Sequence, residues 1–279
     1  MAERRGHASR LVLIGSAASQ AMSPGLWNPV LQELGSGWTY EAWDVVPDAD
    51  LGAVRRRLLE PDIVAANVTM PHKHWAAETA DEATRPVQLS GACNLLVRQD
   101  RRLAGHNTDV TAVGVLLEGR YQRHAVLLGA GGAARAALIA LKDNLGRVSI
   151  ADRDPHASEE LLDLANGFGI EAQAVTWQEA QDLAPGASLI VNATPVGKKA
   201  TDGPVWGGAR LAPDAVLYDY VYAGHATASV ERAMELGVRC IDGWDHLREQ
   251  AVAMVPLLGL GGRACELLRQ TLRALREKH

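Results

Sequence analysis

The chain has 279 residues, 47% of them apolar, and a formal net charge of −5, which suits more than one compact domain with a full core. That acidic balance supplies no basic stripe to neutralise phosphates, so nucleic acid is excluded as an expected partner and a small molecule is favoured. Cys93, Cys240 and Cys265 are odd in number, far apart and without CxxC or metal-ligand spacing; they read as reduced thiols, and no metal site is expected.

The opening MAERRGHASR is basic, but the apolar run at residues 11–14 is too brief for a signal peptide. No stretch approaches the roughly 18 to 20 apolar residues of a membrane span, so a cytoplasmic protein without membrane association is expected. From Leu11 onward, strand candidates LVLIG, WTYEAWDV, DIVAANVT, NLLVR and RLAGHN alternate with helical stretches such as residues 24–35 and 50–59. A second set follows a boundary near residues 109–123: AVLLGA, RVSIAD, AQAVTW, SLIVNAT, AVLYDYV and VRCIDG. This alternation predicts an α/β fold with mostly parallel strands. Residues 245–277 carry apolar residues at helical spacing, and GLGG at residues 259–262 divides them into two helices.

In VLLGAGGAARAALIAL, residues 126–141, glycines follow an apolar strand and open an alanine-rich helix, the context of a dinucleotide-binding turn. Gly129 would permit the tight turn, with Ala130 beside it. Gly131 and Gly132 would let the backbone approach a pyrophosphate at the positive end of the helix, where Ala133 and Ala134 allow close packing on the strand. Gly146 is a candidate C-terminal cap of that helix. Asp152 lies about 20 residues beyond the glycines, where a carboxylate accepts hydrogen bonds from the adenosine ribose and repels a 2′-phosphate. Arg153 pulls the other way by pairing with that phosphate, and the bland alternative makes both residues solvated turn charges. NAD is favoured over NADP on this reading.

Further motifs flank that loop. NVTMPHK at 67–73, GACN at 91–94, GHNTD at 105–109 and GAGGA at 129–133 occur in this order, and here the chain resembles the shikimate dehydrogenase family. The resemblance implies a substrate-binding and catalytic domain over residues 1–109 and a Rossmann-type NAD(P)-binding domain over 110–244. It also implies C-terminal helices over 245–279 that pack back on the first domain. Reducing a ring ketone needs hydride on carbon and a proton on oxygen. By resemblance, Lys73 and Asp109 hydrogen-bond the reacting oxygen and share that proton, while Asn94, Tyr222 and Gln250 hold the substrate. Thr194, Tyr220 and Gly243 join the glycine loop in binding cofactor. Lone Lys and Asp residues are usually solvated surface groups; it is their place inside these motifs that argues otherwise. His72 and His74 lack a third ligand cluster and receive no role.

The family's N-terminal motif carries two serines that grip the substrate carboxylate. This chain reads Ser19-Gln20-Ala21-Met22-Ser23-Pro24: Ser23 is kept, Ala21 replaces the first serine, and Thr69 is the remaining hydroxyl for that end. Ser before Pro also suits a helix N-terminus. The substrate implied is shikimate or a related cyclic polyol acid, with quinate, aminoshikimate or another cyclitol as alternatives. Other classes considered are a methylene-tetrahydrofolate-type dehydrogenase and a non-catalytic dinucleotide-binding regulator. A homodimer is the candidate assembly.

Overall fold

The computed structural model describes residues 9–278; residues 1–8 of the basic opening segment lie outside them. The chain forms two compact units, one made of residues up to Thr108 together with Gln250–Lys278, the other of Asp109–Glu249.

The first unit contains β1 (Ser9–Gly15), α1 (Ser23–Glu33), β2 (Trp38–Asp44), α2 (Leu51–Leu58), β3 (Ile63–Val68), α3 (Lys73–Thr79), β4 (Glu82–Ala83), α4 (Arg85–Ser90), β5 (Leu95–Gln99) and β6 (Arg102–His106). Its sheet has the order β2-β1-β3-β5-β6-β4. β1 pairs in parallel with β2 and β3, but β5 runs antiparallel to both β3 and β6. The mostly parallel pattern expected from the sequence holds except at β5. Only Asp100 and Arg101 connect β5 to β6, a span that antiparallel strands alone can use, and Asp100 adopts φ 55° to make the turn. Val12, Ile14, Ile63, Ala66, Val68, Leu96 and Leu103 form one face of the core.

The second unit contains α5 (Thr108–Leu116, from its second residue), β7 (Gln122–Leu128), α6 (Gly132–Leu141), β8 (Leu145–Ala151), α7 (Pro155–Gly167), β9 (Glu171–Ala174), α8 (Trp177–Leu183), β10 (Leu189–Asn192), β11 (Val216–Asp219), α9 (Ala228–Glu235) and β12 (Arg239–Ile241). The sheet order is β12-β11-β10-β7-β8-β9, parallel throughout. This is the doubly wound dinucleotide-binding order, whose reversal point lies between β7 and β10. Its strands read as unbroken apolar runs because both faces are covered. Ala125, Leu127, Leu189 and Val191 face the core shared with α6 and α7, whereas Val126, Leu128 and Ile190 face the side of α8 and α9.

α10 (Gly243–Leu257) starts in the second unit and ends in the first, and α11 (Gly262–Arg276) follows. Gly259, at φ +68°, falls between the two helices. α11 buries Ala264, Leu268 and Leu272, one turn apart, and packs on α1, where Arg263 pairs with Glu33 at 2.8 Å. Two local expectations change. α6 ends on Lys142 rather than at Gly146, which sits inside β8 where a Cβ would lie 2.8 Å from the Arg123 carbonyl. β9 stops at Ala174 because Thr176 and Glu179 form a capping box that starts α8.

Candidate functional site

In the first unit three sequence motifs are stitched together by their backbones. Lys73 opens α3, and its carbonyl accepts from Cys93 N at 2.9 Å. Val68 N donates to the Asn94 carbonyl at 2.9 Å, and Asn94 N donates to the His106 carbonyl at 3.1 Å. Side chains repeat the pattern. Asn67 accepts from Tyr40 Oη at 2.8 Å and donates to the Asn94 carbonyl, while Asn107 donates to the Ala92 carbonyl at 3.1 Å.

Asn94 is buried. Its Oδ1 accepts from Thr108 N at 2.8 Å and its Nδ2 donates to Thr108 Oγ1 at 3.0 Å. The Thr108 hydroxyl in turn faces Gln250 Oε1 at 3.5 Å, the outer limit of a hydrogen bond. Asn94 and Gln250, far apart in the sequence, thus converge on one hydroxyl. Thr69 is half-buried, and its amide donates to the Ile14 carbonyl at 2.8 Å. Gly15 makes room for it, since a Cβ there would lie 2.4 Å from Thr69 Cγ2. Ser23 is also half-buried, and no side chain caps α1, so its hydroxyl is not used as the helix cap. His72 turns to the Val45 carbonyl and His74 to the Gly91 carbonyl. Among the described residues no three potential metal ligands cluster.

In the second unit the glycine turn lies at the C-terminal ends of β7 and β10. Gly129 takes φ +101°, and a Cβ there would sit 2.9 Å from the Ala193 backbone, a conformation and an approach that require glycine. Thr194 fixes the opposite turn, donating Oγ1 to Asn192 Oδ1 at 2.7 Å. Gly131 and Gly132 face open space, for a Cβ at either would meet nothing within 4 Å, and α6 has no side-chain cap. An uncapped N-terminal turn presents N–H donors to an anion, so these residues fit the pyrophosphate of a dinucleotide. Tyr220 ties its hydroxyl to the Ala133 carbonyl at 3.0 Å. Gly243 is required where α10 begins, because a Cβ would lie 2.6 Å from Val221. Tyr222 lies beyond the end of β11, 38% exposed, with its ring 6.0 Å from that of Trp244. Arg153 is exposed.

Asp109, in the first turn of α5, is buried against His246, whose Nε2 lies 3.2 Å from Asp109 Oδ1. Tyr218 Oη lies 2.7 Å from Nδ1 of the same imidazole. The sequence reading missed His246, Tyr218 and Thr108. Only His246 carried a signal, standing one helical turn before Gln250. Asp219 is buried in the floor of this region, accepting from Asn192, Val221 N and Thr227; burial pushes its carboxyl up to about 6 against those bonds.

Residues 13–96 match the family model described as the shikimate dehydrogenase substrate binding domain. The shikimate dehydrogenase (NADP(+)) of Rhizobium meliloti (strain 1021) is 32% identical, over 95% of this chain and 94% of the relative. That of Brucella abortus (strain S19) is 37% identical, over 82% and 80%. The solved shikimate 5-dehydrogenase of Thermus thermophilus, in complex with NADP(H) and shikimate, superposes with a TM-score of 0.79 at 28% identity, over 94% of this chain and 99% of that one.

The expectation of NAD over NADP is overturned by these relatives, which are named for NADP(+) or were solved with NADP(H). Asp152 also serves the turn itself: its two oxygens accept from Ala130 N at 2.7 Å and Asp154 N at 2.8 Å, so a carboxylate at this place has a role that does not depend on a ribose. With relatives above 30% identity along almost its whole length, the chain belongs to the shikimate dehydrogenase family.

Proposed function

We propose that the protein is an NADP-dependent oxidoreductase of the shikimate dehydrogenase type, acting reversibly at a ring carbon that bears a hydroxyl or keto group. The observation that carries this reading is the joining of residues 67–73, 91–94 and 105–108 into one hydrogen-bonded cluster around Asn94. That cluster sets the position of Lys73 through its carbonyl and leads directly into Asp109.

When bound, the nicotinamide supplies or takes up the hydride. Gly129, Ala130, Gly131, Gly132 and Ala133 hold its pyrophosphate, Arg153 faces the adenosine end, and Thr194, Tyr220 and Gly243 shape the nicotinamide end. Lys73 and Asp109 hydrogen-bond the reacting oxygen and move its proton. Asn94, Gln250 and Tyr222 hold the substrate's hydroxyls, and Ser23 and Thr69 hold its carboxylate. The substrate is shikimate or a related cyclic polyol acid; Ala21, in place of a second gripping serine, favours testing quinate and aminoshikimate beside it. No described helix is long and apolar enough to cross a membrane. The reading carries a cytoplasmic enzyme, whose assembly as a homodimer light scattering would test.

The test is reduction of NADP+ followed by the absorbance of the reduced nicotinamide, with each acid in turn. Turnover of at least one is expected, and Lys73→Ala should abolish it while NADP+ still binds by calorimetry. Full turnover by Lys73→Ala, or none with any cyclic acid, would overturn the assignment.

A further inference from the structure

Asp109, His246 and Tyr218 form a buried chain within the second unit. Asp109 is 7% exposed, His246 9% and Tyr218 1%. The three come from different elements, α5, α10 and β11. His246 is engaged at both nitrogens, with Asp109 Oδ1 at 3.2 Å from Nε2 and Tyr218 Oη at 2.7 Å from Nδ1. Its ring is also packed, with the Tyr220 ring edge-on at 4.6 Å and the Tyr218 ring at 6.0 Å. Tyr220 is fixed in turn by its bond to the Ala133 carbonyl.

The bonds select one arrangement of protons. Burial and the carboxylates of Asp109, Asp245 and Glu249 push the Tyr218 phenol well above its ordinary value, so it keeps its proton. An ionised carboxylate only accepts, so the Asp109 side requires a proton on Nε2. In a neutral imidazole Nδ1 is then an acceptor, matching the Tyr218 hydroxyl as donor. The opposite tautomer would turn a lone pair toward the Asp109 carboxylate and lose that bond.

We propose that His246 is a positioning residue for the reaction: its Nε2–H anchors Oδ1 of Asp109 and fixes the plane of the carboxylate, and Tyr218 selects the tautomer able to do this. The inference rests on the assignment of Asp109 to the acid–base pair. A carboxylate that must meet a substrate hydroxyl gains from having one orientation set before the substrate arrives, because misplacement of a reacting group costs rate rather than ground-state binding. The Asp–His bond supplies that orientation, and the Tyr–His bond stops the imidazole from turning away.

The test uses the full chain with NADP+ and shikimate, or whichever cyclic acid proves to be turned over. His246→Leu is expected to lower kcat about tenfold or more, as loss of a charge-assisted hydrogen bond does, while both KM values stay within about twofold. His246→Gln, whose amide N–H can reach the same oxygen, should recover most of that loss. Tyr218→Phe should lower kcat less, and nitrogen NMR of the imidazole should show Nε2 protonated in the wild type and a mixed tautomer in this variant. Asp109→Asn separates the two claims. If it is fully active, the assignment of Asp109 falls and the inference with it. If it is inactive while His246→Leu keeps wild-type kcat, or if Nδ1 carries the proton in the wild type, the inference alone is overturned. Should His246→Leu fail to fold, the glutamine and Tyr218 variants and the NMR signature still decide.

Discussion

Asp152 holds Ala130: a carboxylate at the end of β8 accepts the amide of the glycine turn at 2.7 Å and, through its other oxygen, the amide of Asp154 at 2.8 Å. The neighbouring Arg153 is exposed and is the cation proposed above for the adenosine end of the cofactor. Arg153→Ala should raise the KM for NADP+ about tenfold or more and leave that for NAD+ nearly unchanged. Asp152→Ala should raise both, because it loosens the turn itself. Initial rates with the two cofactors check this, and an equal response of both to Arg153→Ala would remove Arg153 from phosphate recognition.

Ala21 follows a short 3₁₀ turn at Ala18–Gln20 and is half-buried two residues before Ser23. A second hydroxyl there would add one charge-assisted hydrogen bond to the substrate carboxylate proposed to meet Ser23 and Thr69. Ala21→Ser should therefore lower the KM for shikimate about tenfold. The methyl ester of shikimate, lacking the charge, should gain much less. Equal gains for acid and ester would place the carboxylate elsewhere.

The alternation of strands and helices was legible because continuous apolar runs and glycine turns mark a covered parallel sheet; β10 and β11 fall inside expected runs, while β7 and β8 overlap theirs but start a few residues earlier. β4 was not, since two residues carry no period, and the antiparallel β5 depends on a two-residue connection rather than on strand pattern. Within the site, Gly129 was legible because its turn demands a conformation and a close approach that only glycine meets. Thr108 stood unassigned inside a recognised motif, because only the fold shows its hydroxyl between Asn94 and Gln250. Tyr218 and His246 meet across 28 residues, a pairing that no local spacing announces. Asp152 was ambiguous because a carboxylate that serves a turn and one that serves a ribose occupy the same place in the sequence.

Asn94 satisfies both the amide and the hydroxyl of Thr108 in a buried setting. Asn94→Ala leaves those groups unpaired, which costs about 1–3 kcal/mol for a buried donor. Chemical denaturation should show a loss of about 2 kcal/mol, and the KM for substrate should rise because the amide proposed to hold a substrate hydroxyl is gone. Unchanged stability would mean that water replaces the amide.

Gly15 and Thr69 form a pair that a double-mutant cycle can resolve. A Cβ at Gly15 would lie 2.4 Å from Thr69 Cγ2 and 3.2 Å from the Met70 carbonyl, whereas Thr69 Cβ stays at 3.7 Å. Gly15→Ala should destabilise the fold by about 1–3 kcal/mol through overpacking. Thr69→Ser removes the offending methyl and keeps the hydroxyl, so the double variant should recover part of the stability lost. Strict additivity of the two changes would show that the strain is carried by the Met70 carbonyl instead.

Asp219 sets a stability window on pH. Its carboxyl is pushed up to about 6 by burial, against the lowering by Thr227, Val221 N and Asn192, while in the unfolded chain it titrates near 3.8. Between these values the folded state binds more protons than the unfolded, so this group's contribution falls as pH rises through the window. The loss is nearly complete by about pH 7 and amounts to about 3 kcal/mol over the whole titration. His124 and His106 work in the opposite sense: burial lowers both, so acid protonates them more readily in the unfolded chain and destabilises the fold below about pH 6.5. The two effects overlap in the wild type and are separated by Asp219→Asn. This variant lacks the titration, but its amide must donate to a Thr227 hydroxyl that already accepts from Val230 N, leaving the hydroxyl proton without its acceptor. Wild-type stability relative to Asp219→Asn, measured by urea unfolding, should fall by about 2 kcal/mol from about pH 4 to about pH 7. A flat difference over that range would show that the Asp219 carboxyl titrates as an ordinary carboxylate and that the three hydrogen bonds offset its burial.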